Sequence, residues 1–116
     1  MTSSASSPKP LPPGFPRDGE IRYYSLARHA LIDALRIAGI TSGKRVLLPS
    51  YLCRDLLAPL FLLGAEPCWY DITHELAPAA PPADWPIADA VLAVNYFGFP
   101  QCLKPFTAYA QRTGAV

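Results

Sequence analysis

Residues 25–71 read SLARHALIDALRIAGITSGKRVLLPSYLCRDLLAPLFLLGAEPCWYD and alternate between helical and extended patterns. Apolar side chains recur at steps of three and four residues over positions 26–38, which predicts an amphipathic helix there. Ser25 is a suitable N-cap, and Gly39 stands where a left-handed C-cap is needed. This stretch is the most regular helical pattern in the chain.

A strand and a second helix are predicted to follow this first helix. Residues 45–49 are apolar on both faces, as expected of a buried strand in a parallel sheet. The next helix is predicted over residues 52–63 and ends at Gly64. Pro59 should kink it, because proline lacks a backbone donor and its ring displaces a carbonyl of the preceding turn.

The remainder of the chain repeats the same order of elements. Strands are predicted at residues 67–71 and 90–95, and a last helix at 103–112. The proline-rich stretch 77–86 lies between these strands, and Trp85 is expected to pin this loop to the core. Strands that alternate with helices indicate an α/β fold, here a partial one, with a mostly parallel sheet and right-handed crossovers.

The two ends of the chain differ from this pattern. Residues 1–20 are rich in proline and serine and predict a disordered leader. Gly114, Ala115 and Val116 read as a helix stop followed by the first two residues of another strand. Residues 21–116 are therefore expected to form an incomplete α/β domain, the N-terminal part of something larger.

The composition argues against several classes of protein. The chain has 116 residues, 51% of them hydrophobic, and a formal net charge of +1 without a basic run. Nucleic acid and anionic membranes are therefore poor partners, and the longest apolar stretch is too short to span a bilayer. The three cysteines are widely spaced and form no C-x-x-C pair, which favours reduced thiols in the cytoplasm and predicts no metal site.

Candidate ligand-binding residues lie where α/β proteins hold anions, beyond the carboxyl ends of strands and at helix N-termini. Arg28, in the first helical turn, either holds a phosphate through its planar guanidinium or is a solvated charge. His29 is either a titrating group or a packing residue. Cys53 is either a thiol of lowered pKa or an ordinary cysteine at a helix start. The glycine-rich fingerprints of dinucleotide and P-loop sites are absent.

Other side chains near the predicted strand ends have two interpretations each. Asp71 either caps a turn or faces a site. Five aromatic residues near loop ends either stack on a planar ring or pack in a core or an interface: Tyr23, Tyr24, Tyr51, Tyr96 and Phe97. The residue types alone leave these alternatives open.

Four short motifs stand in a fixed order within residues 23–116. A helix start of small residues leads to an Ala-Leu pair, and a V-x-x-P strand follows. G-A-x-P then precedes a strand that ends in Asp71, and VNYFGFP at residues 94–100 precedes the last helix. Together they resemble the large domain of the DegT/DnrJ/EryC1/StrS family, the pyridoxal-phosphate (PLP) sugar aminotransferases of fold type I. The resemblance implies a three-layer fold around a parallel sheet.

The resemblance also implies where PLP would bind. In the family, the residues that open the first helix hold the phosphate through backbone N–H groups, and the matching residues here are Ala27 and Arg28. The family's aromatic ring that stacks on the pyridine matches Cys53, whose thiol offers little stacking area. Either Tyr51 substitutes from nearby or the ring is held differently. Leu26 replaces a family serine, and a family histidine is replaced by Asn95.

Two groups that the family's chemistry needs are expected outside this chain. The Asp that pairs with the pyridine nitrogen would fall just after Val116, and the Schiff-base lysine would lie further on. The only lysines are Lys9, Lys44 and Lys104, and none is placed as the family's lysine is. We therefore predict no catalytic residue in the chain and no transamination by the chain alone.

The resemblance implies that the complete protein moves an amino group from an amino acid to a keto-sugar or a similar carbonyl, as a homodimer acting on small molecules. Two alternatives remain. One is a noncatalytic binding or interaction module that keeps the sheet and has lost the cofactor. The other is an unrelated α/β domain that binds a nucleotide or a phosphate.

Overall fold

A computed structural model describes residues 23–116 of the chain. The leader predicted over residues 1–20 lies outside the described residues. Within the described part, no helix has both the length and the apolar character needed to cross a membrane.

The described chain contains three α-helices and three strands, together with short 3-10 turns. The strands are parallel and lie in the order β2-β1-β3, so the first strand is central. The elements follow one another as α1 Ala27–Ile37, β1 Arg45–Pro49, a 3-10 helix Arg54–Leu57, α2 Ala58–Leu63, β2 Glu66–Tyr70, β3 Ala90–Val91 and α3 Lys104–Thr113.

The central strand β1 is buried because both of its faces are covered. Val46 and Leu48 belong to the apolar cluster formed with α1 and α2, on one face of the sheet. Leu47 points to the other face and joins a cluster built from α3 and the proline-rich loop. Helices on one face and a helix with an ordered loop on the other give the three-layer α/β fold that the sequence predicts.

Trp85 anchors the proline-rich loop, as the sequence predicts. Its side chain is buried in the cluster on the α3 face of the sheet. Its indole N–H donates to the carbonyl of Ala80, 2.9 Å away. Because the polar atom of this large side chain is paired, burying the ring costs no unsatisfied hydrogen bond.

The first helix starts later than Ser25 predicts. Leu26 is the N-cap, with an extended backbone (φ −137°, ψ 144°) and no side-chain capping bond. Its carbonyl accepts the N–H groups of His29 and Ala30 at 3.1 and 3.3 Å. Ser25 therefore lies one residue too far from the helix to cap it, and the prediction of Ser25 as N-cap is wrong.

The second helix is divided rather than kinked. Its first part, Arg54–Leu57, is a 3-10 helix, and the α-helix begins only at Ala58. Pro59 then lies in the first turn of that α-helix, where a missing N–H costs nothing. Gly64 ends the helix with φ +71°, as predicted.

The third strand is much shorter than the predicted residues 90–95. Only Ala90 and Val91 pair with β1. Beyond them, Pro49 of β1 has no N–H to donate, and the carbonyl of Leu92 accepts the hydroxyl of Tyr70 instead, at 2.6 Å. A side-chain bond thus takes the place of a further rung of the ladder.

The other side of β3 contacts the last residue of the chain. The N–H of Val116 donates to the carbonyl of Asp89 at 3.1 Å, and its carbonyl accepts the N–H of Val91 at 3.0 Å. This pair of bonds is typical of the first rung of a parallel ladder. Val116 therefore lies beside β3 in the position of a neighbouring strand.

Candidate functional site

The candidate site lies at the carboxyl edge of the sheet. The three strands are parallel, so the segments that follow them meet at this edge. The N-terminus of α1 comes to the same place, because Arg28 lies beside the 3-10 helix that follows β1. The edge thus combines a helix N-terminus with the loops after β1 and β3.

The N-terminus of α1 is suited to an anion. An α-helix leaves its first N–H groups without intrahelical acceptors, and here these are the N–H groups of Ala27 and Arg28. The N-cap residue, Leu26, has no side-chain hydrogen bond to cap them. The guanidinium of Arg28 lies 3.8 Å from the carboxylate of Asp55; the Arg28 side chain is partly exposed and that of Asp55 is largely exposed. Arg28 is therefore already next to one carboxylate, in a pair weak enough to exchange with solvent ions.

His29 follows Arg28 in the same helical turn. Its residue is half-buried, and its Nδ1 is enclosed without a hydrogen-bond partner among the residues that the structure describes. An enclosed ring fits the interpretation of His29 as a packing residue.

Cys53 stands at the start of the 3-10 helix and is exposed. Its backbone is extended (φ −66°, ψ 132°), and it is the N-cap of a helix of only four residues. It brings no ring to the site. The position that the resemblance assigns to an aromatic side chain is thus occupied by a small thiol at the rim.

Two tyrosines from different loops stack at this edge. The rings of Tyr51 and Tyr96 lie 5.5 Å apart between centroids, with 29° between their planes. The hydroxyl of Tyr96 donates to the backbone carbonyl of Tyr51. Burial, and to a lesser extent the neighbouring Tyr51, raises the pKa of Tyr96. Its hydroxyl therefore remains a donor at neutral pH. The stacked pair joins the loop after β1 to the loop after β3.

These rings line a cavity of about 410 Å³, which we call the ring cavity. Phe97 closes one side of it and is a non-glycine residue in the left-handed region, with φ +53°. The ring cavity is formed by Tyr51, Leu52, Cys53, Leu56, Val94, Tyr96 and Phe97. An apolar and aromatic wall of this kind suits a flat, uncharged group.

A second cavity shares a wall with the ring cavity. It measures about 720 Å³ and includes Tyr51 and Phe97, together with the polar residues Thr73, His74 and Glu75 from the loop after β2. The two cavities therefore share the side chains of Tyr51 and Phe97. Among the described residues, no group of three His, Cys, Asp or Glu side chains is placed to hold a metal ion.

The fold around this edge is that of known aminotransferases. No protein-family profile matches the sequence. A DegT DnrJ EryC1 StrS aminotransferase from Brucella abortus superposes with a TM-score of 0.62 and 27% identity, over 76% of this chain and 26% of that one. DesV of S. venezuelae, solved in complex with a ketimine intermediate, gives a TM-score of 0.63 and 30% identity over 76% of this chain and 25% of that one.

The chain resembles a fragment of a DegT/DnrJ/EryC1/StrS aminotransferase. The resemblance and the partial α/β fold predicted from the sequence are both confirmed. The chain spans about a quarter of the length of these two aminotransferases.

Within the described residues, the predicted residues Ala27, Arg28 and Cys53 come to the same edge. Arg28 and Cys53 are linked through the 3-10 helix, whose Asp55 contacts Arg28. Asn95, which replaces a family histidine, closes a loop, because its Oδ1 accepts the N–H of Gln101 at 2.8 Å.

Two contacts of this aminotransferase-like edge were not predicted from the sequence. In the sequence, Asp55 stands out only as an acidic residue at a helix start. An acidic side chain at that position typically faces a cation or a helix dipole. The stacking of Tyr51 on Tyr96 joins residues 45 positions apart, and no local pattern indicates it. Asp71 is exposed, and its carbonyl accepts the N–H of Ala79 at 2.8 Å beside the antiparallel bridge between Ile72 and Pro78, so both interpretations of its carboxylate stay predictions.

Proposed function

We propose that this chain is part of a PLP-dependent aminotransferase and supplies the phosphate-binding end of its cofactor site. The complete protein would transfer an amino group from an amino acid to a keto-sugar or a similar carbonyl. The observation that carries the proposal is the uncapped N-terminus of α1, with Arg28 beside it, at the carboxyl edge of a fold shared with two aminotransferases.

The residues present fit one half of the cofactor. The N–H groups of Ala27 and Arg28 would hold the phosphate oxygens, because an uncapped helix N-terminus favours anions. The Arg28 side chain would supply a positive charge, in competition with Asp55. Cys53 borders the ring cavity, where the flat part of the cofactor would lie. When bound, PLP serves as an electron sink for the substrate's amino-bearing carbon.

The lysines of this chain do not fit the other half. Lys44 precedes β1 and so lies at the amino end of the central strand, away from the candidate site. Lys104 is exposed at the start of α3, and Lys9 lies outside the described residues. The chain alone is therefore expected to bind the cofactor's phosphate without transferring an amino group.

The assembly and location of the complete protein belong to the same proposal. By the family resemblance, the complete protein would be a homodimer that acts on small amino donors and carbonyl acceptors. Cys53, Cys68 and Cys102 are free, which suits a reducing compartment such as the cytoplasm.

A second candidate is a noncatalytic module that keeps the sheet and has lost the cofactor. The absence of a ring at Cys53 and the pairing of Arg28 with Asp55 favour it. In that module the α1 N-terminus would bind neither phosphate nor PLP.

Binding of inorganic phosphate separates the two candidates. We expect millimolar phosphate at constant ionic strength to raise the melting temperature of the 116-residue chain, because a ligand that binds only the folded state stabilises it. Arg28→Ala should abolish the rise. Arg36→Ala removes the same charge from the last turn of the same helix and should leave the rise intact. If phosphate stabilises neither the wild type nor either variant, the result would favour the noncatalytic module.

Treatment with PLP and borohydride tests the statement about lysine. We expect no adduct confined to one lysine, since neither of the two described lysines, Lys44 and Lys104, lines the ring cavity. A single lysine labelled in good yield, found by peptide mass spectrometry, would show that this chain carries a suitable amine after all.

A further inference from the structure

The ring cavity lacks an aromatic side chain at Cys53 but has one at Tyr51. Tyr51 stacks on Tyr96 with one face only, and its side chain remains 56% exposed. Tyr51 also lines both the ring cavity and the second cavity. A planar ligand entering from there would meet a tyrosine ring already supported from behind.

The support of Tyr51 is unusually firm for an exposed residue. Its ring packs on Tyr96, and its backbone carbonyl accepts the hydroxyl of the same residue. Two contacts with one partner fix both the main chain and the side chain of Tyr51. A ring held in place before binding loses little conformational freedom when a ligand stacks on it.

The ring cavity is also connected to the anion-binding end of the site. Cys53 and Leu56, which line the cavity, flank Asp55 in the same short segment. Asp55 in turn lies 3.8 Å from the guanidinium of Arg28. The 3-10 helix Arg54–Leu57 therefore lines the cavity through Leu56 and contacts α1 through Asp55.

We propose that Tyr51, and not the residue at position 53, is the side chain on which the planar ring of a phosphorylated heterocycle stacks in this protein. The inference rests on the proposed function for the phosphate end of the site. It adds Tyr51 as the residue that holds the ring, whereas the motif pattern assigns that task to position 53. Cys53 then borders the ligand without carrying it.

Two probes separate ring binding from phosphate binding. Pyridoxine 5′-phosphate has the ring and the phosphate but no aldehyde, so it forms no imine with lysine. Inorganic phosphate has the anion alone. Dissociation constants are measured for both by NMR titration of the 116-residue chain and of three variants: Tyr51→Leu, Tyr51→Phe and the control Phe61→Leu. Phe61 is an exposed aromatic residue on α2, outside the cavity.

Tyr51→Leu should raise the Kd of pyridoxine phosphate about tenfold, because loss of ring stacking removes an interaction of that size. Its Kd for inorganic phosphate should not change. Tyr51→Phe keeps the ring and should bind within about twofold of wild type, as should Phe61→Leu. In wild type, the ring protons of Tyr51 should shift on addition of pyridoxine phosphate and not on addition of phosphate.

The possible failures are distinguishable. Unchanged pyridoxine phosphate binding in Tyr51→Leu would overturn the role of Tyr51 and leave the phosphate proposal standing. Wild-type protein that binds neither probe would overturn both. If circular dichroism shows that Tyr51→Leu does not fold, the wild-type ring-proton shifts decide the question. Tyr51 ring-proton signals that do not move when pyridoxine phosphate binds would refute the stacking.

Discussion

Two groups of aromatic side chains in this molecule are similar in composition and opposite in surroundings. The buried group lies under the sheet, against α3 and the proline-rich loop, with its rings 5.0 to 5.7 Å apart. Its polar atoms have partners, since hydrogen bonds join Trp85 to Ala80 and Tyr109 to the main chain of the loop. The buried group consists of Tyr70, Trp85, Phe106 and Tyr109.

The edge group consists of Tyr51, Tyr96 and Phe97. Phe97 is 79% exposed and its backbone is in the left-handed region. Only Tyr96 uses its hydroxyl within the group, to the carbonyl of Tyr51. Rings enclosed on all sides with paired polar atoms stabilise the fold, whereas rings left half open at a strand end are available to a ligand. The comparison predicts that substitutions in the two groups affect different measurements.

Trp85→Ala should have the largest effect on stability. It removes a buried ring that contacts Tyr70, Phe106 and Tyr109, and we expect the free energy of unfolding to fall by about 3–5 kcal/mol. Urea denaturation followed by circular dichroism measures it. The matched change in the edge group, Phe97→Ala, should stay within about 0.5 kcal/mol. Equal losses at the two positions would remove the distinction between the groups.

Tyr109→Phe should have the next largest effect. The hydroxyl of Tyr109 donates to the carbonyl of Pro86 at 2.5 Å and accepts the N–H of Ala88 at 2.8 Å. Removing it leaves the buried N–H of Ala88 and the partly buried carbonyl of Pro86 unpaired, which should cost about 1–3 kcal/mol. Tyr51→Phe, whose ring is exposed, is the control and should cost almost nothing. A loss at Tyr51 as large as that at Tyr109 would contradict the comparison.

The same hydroxyl makes stability depend on alkaline pH. Burial raises the pKa of Tyr109, and burial also raises that of Tyr70. Below about pH 10, the ordinary pKa of tyrosine, both hydroxyls are protonated in the folded and in the unfolded chain, and their contribution to stability is complete. Above it the unfolded chain loses protons first, so stability falls as pH rises toward the raised pKa. Urea midpoints at neutral pH and above pH 10 should show a smaller fall for Tyr109→Phe.

Phe97→Gly should have a smaller effect of the opposite sign. A non-glycine residue with φ +53° carries strain of about 1 kcal/mol that glycine avoids, and little apolar area is lost because the ring is exposed. We expect stability to rise by about 0.5–1 kcal/mol. Phe99 is similarly exposed but has φ −80°, so Phe99→Gly should not stabilise. A loss in Phe97→Gly equal to that in Phe99→Gly would show that the ring packs more than its exposure indicates.

Much of the buried half of the molecule could be predicted from the sequence, because it depends on local patterns. The apolar run at β1, the helical period over residues 27–37 and the glycines after each α-helix are properties of neighbouring residues. Trp85 is the one large ring in a proline-rich loop, which suffices to predict that it anchors the loop. The shortened β3 was missed because it depends on Pro49 and Tyr70, which lie on other strands.

The candidate site, to which the edge group belongs, was harder to predict because its contacts join distant parts of the chain. Arg28 and Cys53 are positions that the motif order identifies. Their partners, Asp55 for Arg28 and Tyr96 for the loop that carries Cys53, come together only once the strands are parallel. A motif match also assumes that the same position carries the same kind of side chain, and Cys53 places a small thiol where the resemblance implies an aromatic ring, although the fold is kept.

Asp55→Asn should have the smallest effect on stability and a measurable one on ligand binding. Asp55 is exposed, Arg28 is partly exposed, and their charged groups lie 3.8 Å apart, so losing the pair should cost less than about 0.5 kcal/mol. The substitution frees the guanidinium of Arg28 from a competing carboxylate, and inorganic phosphate should bind about two- to threefold more tightly, with a difference that shrinks as salt screens the charges. Asp84→Asn makes the same charge change on an exposed residue of the proline-rich loop and should leave the phosphate Kd unchanged. Phosphate that binds Asp55→Asn no better than it binds the control would mean that Arg28 takes no part in holding the anion, and the edge would then differ from the buried group only in exposure.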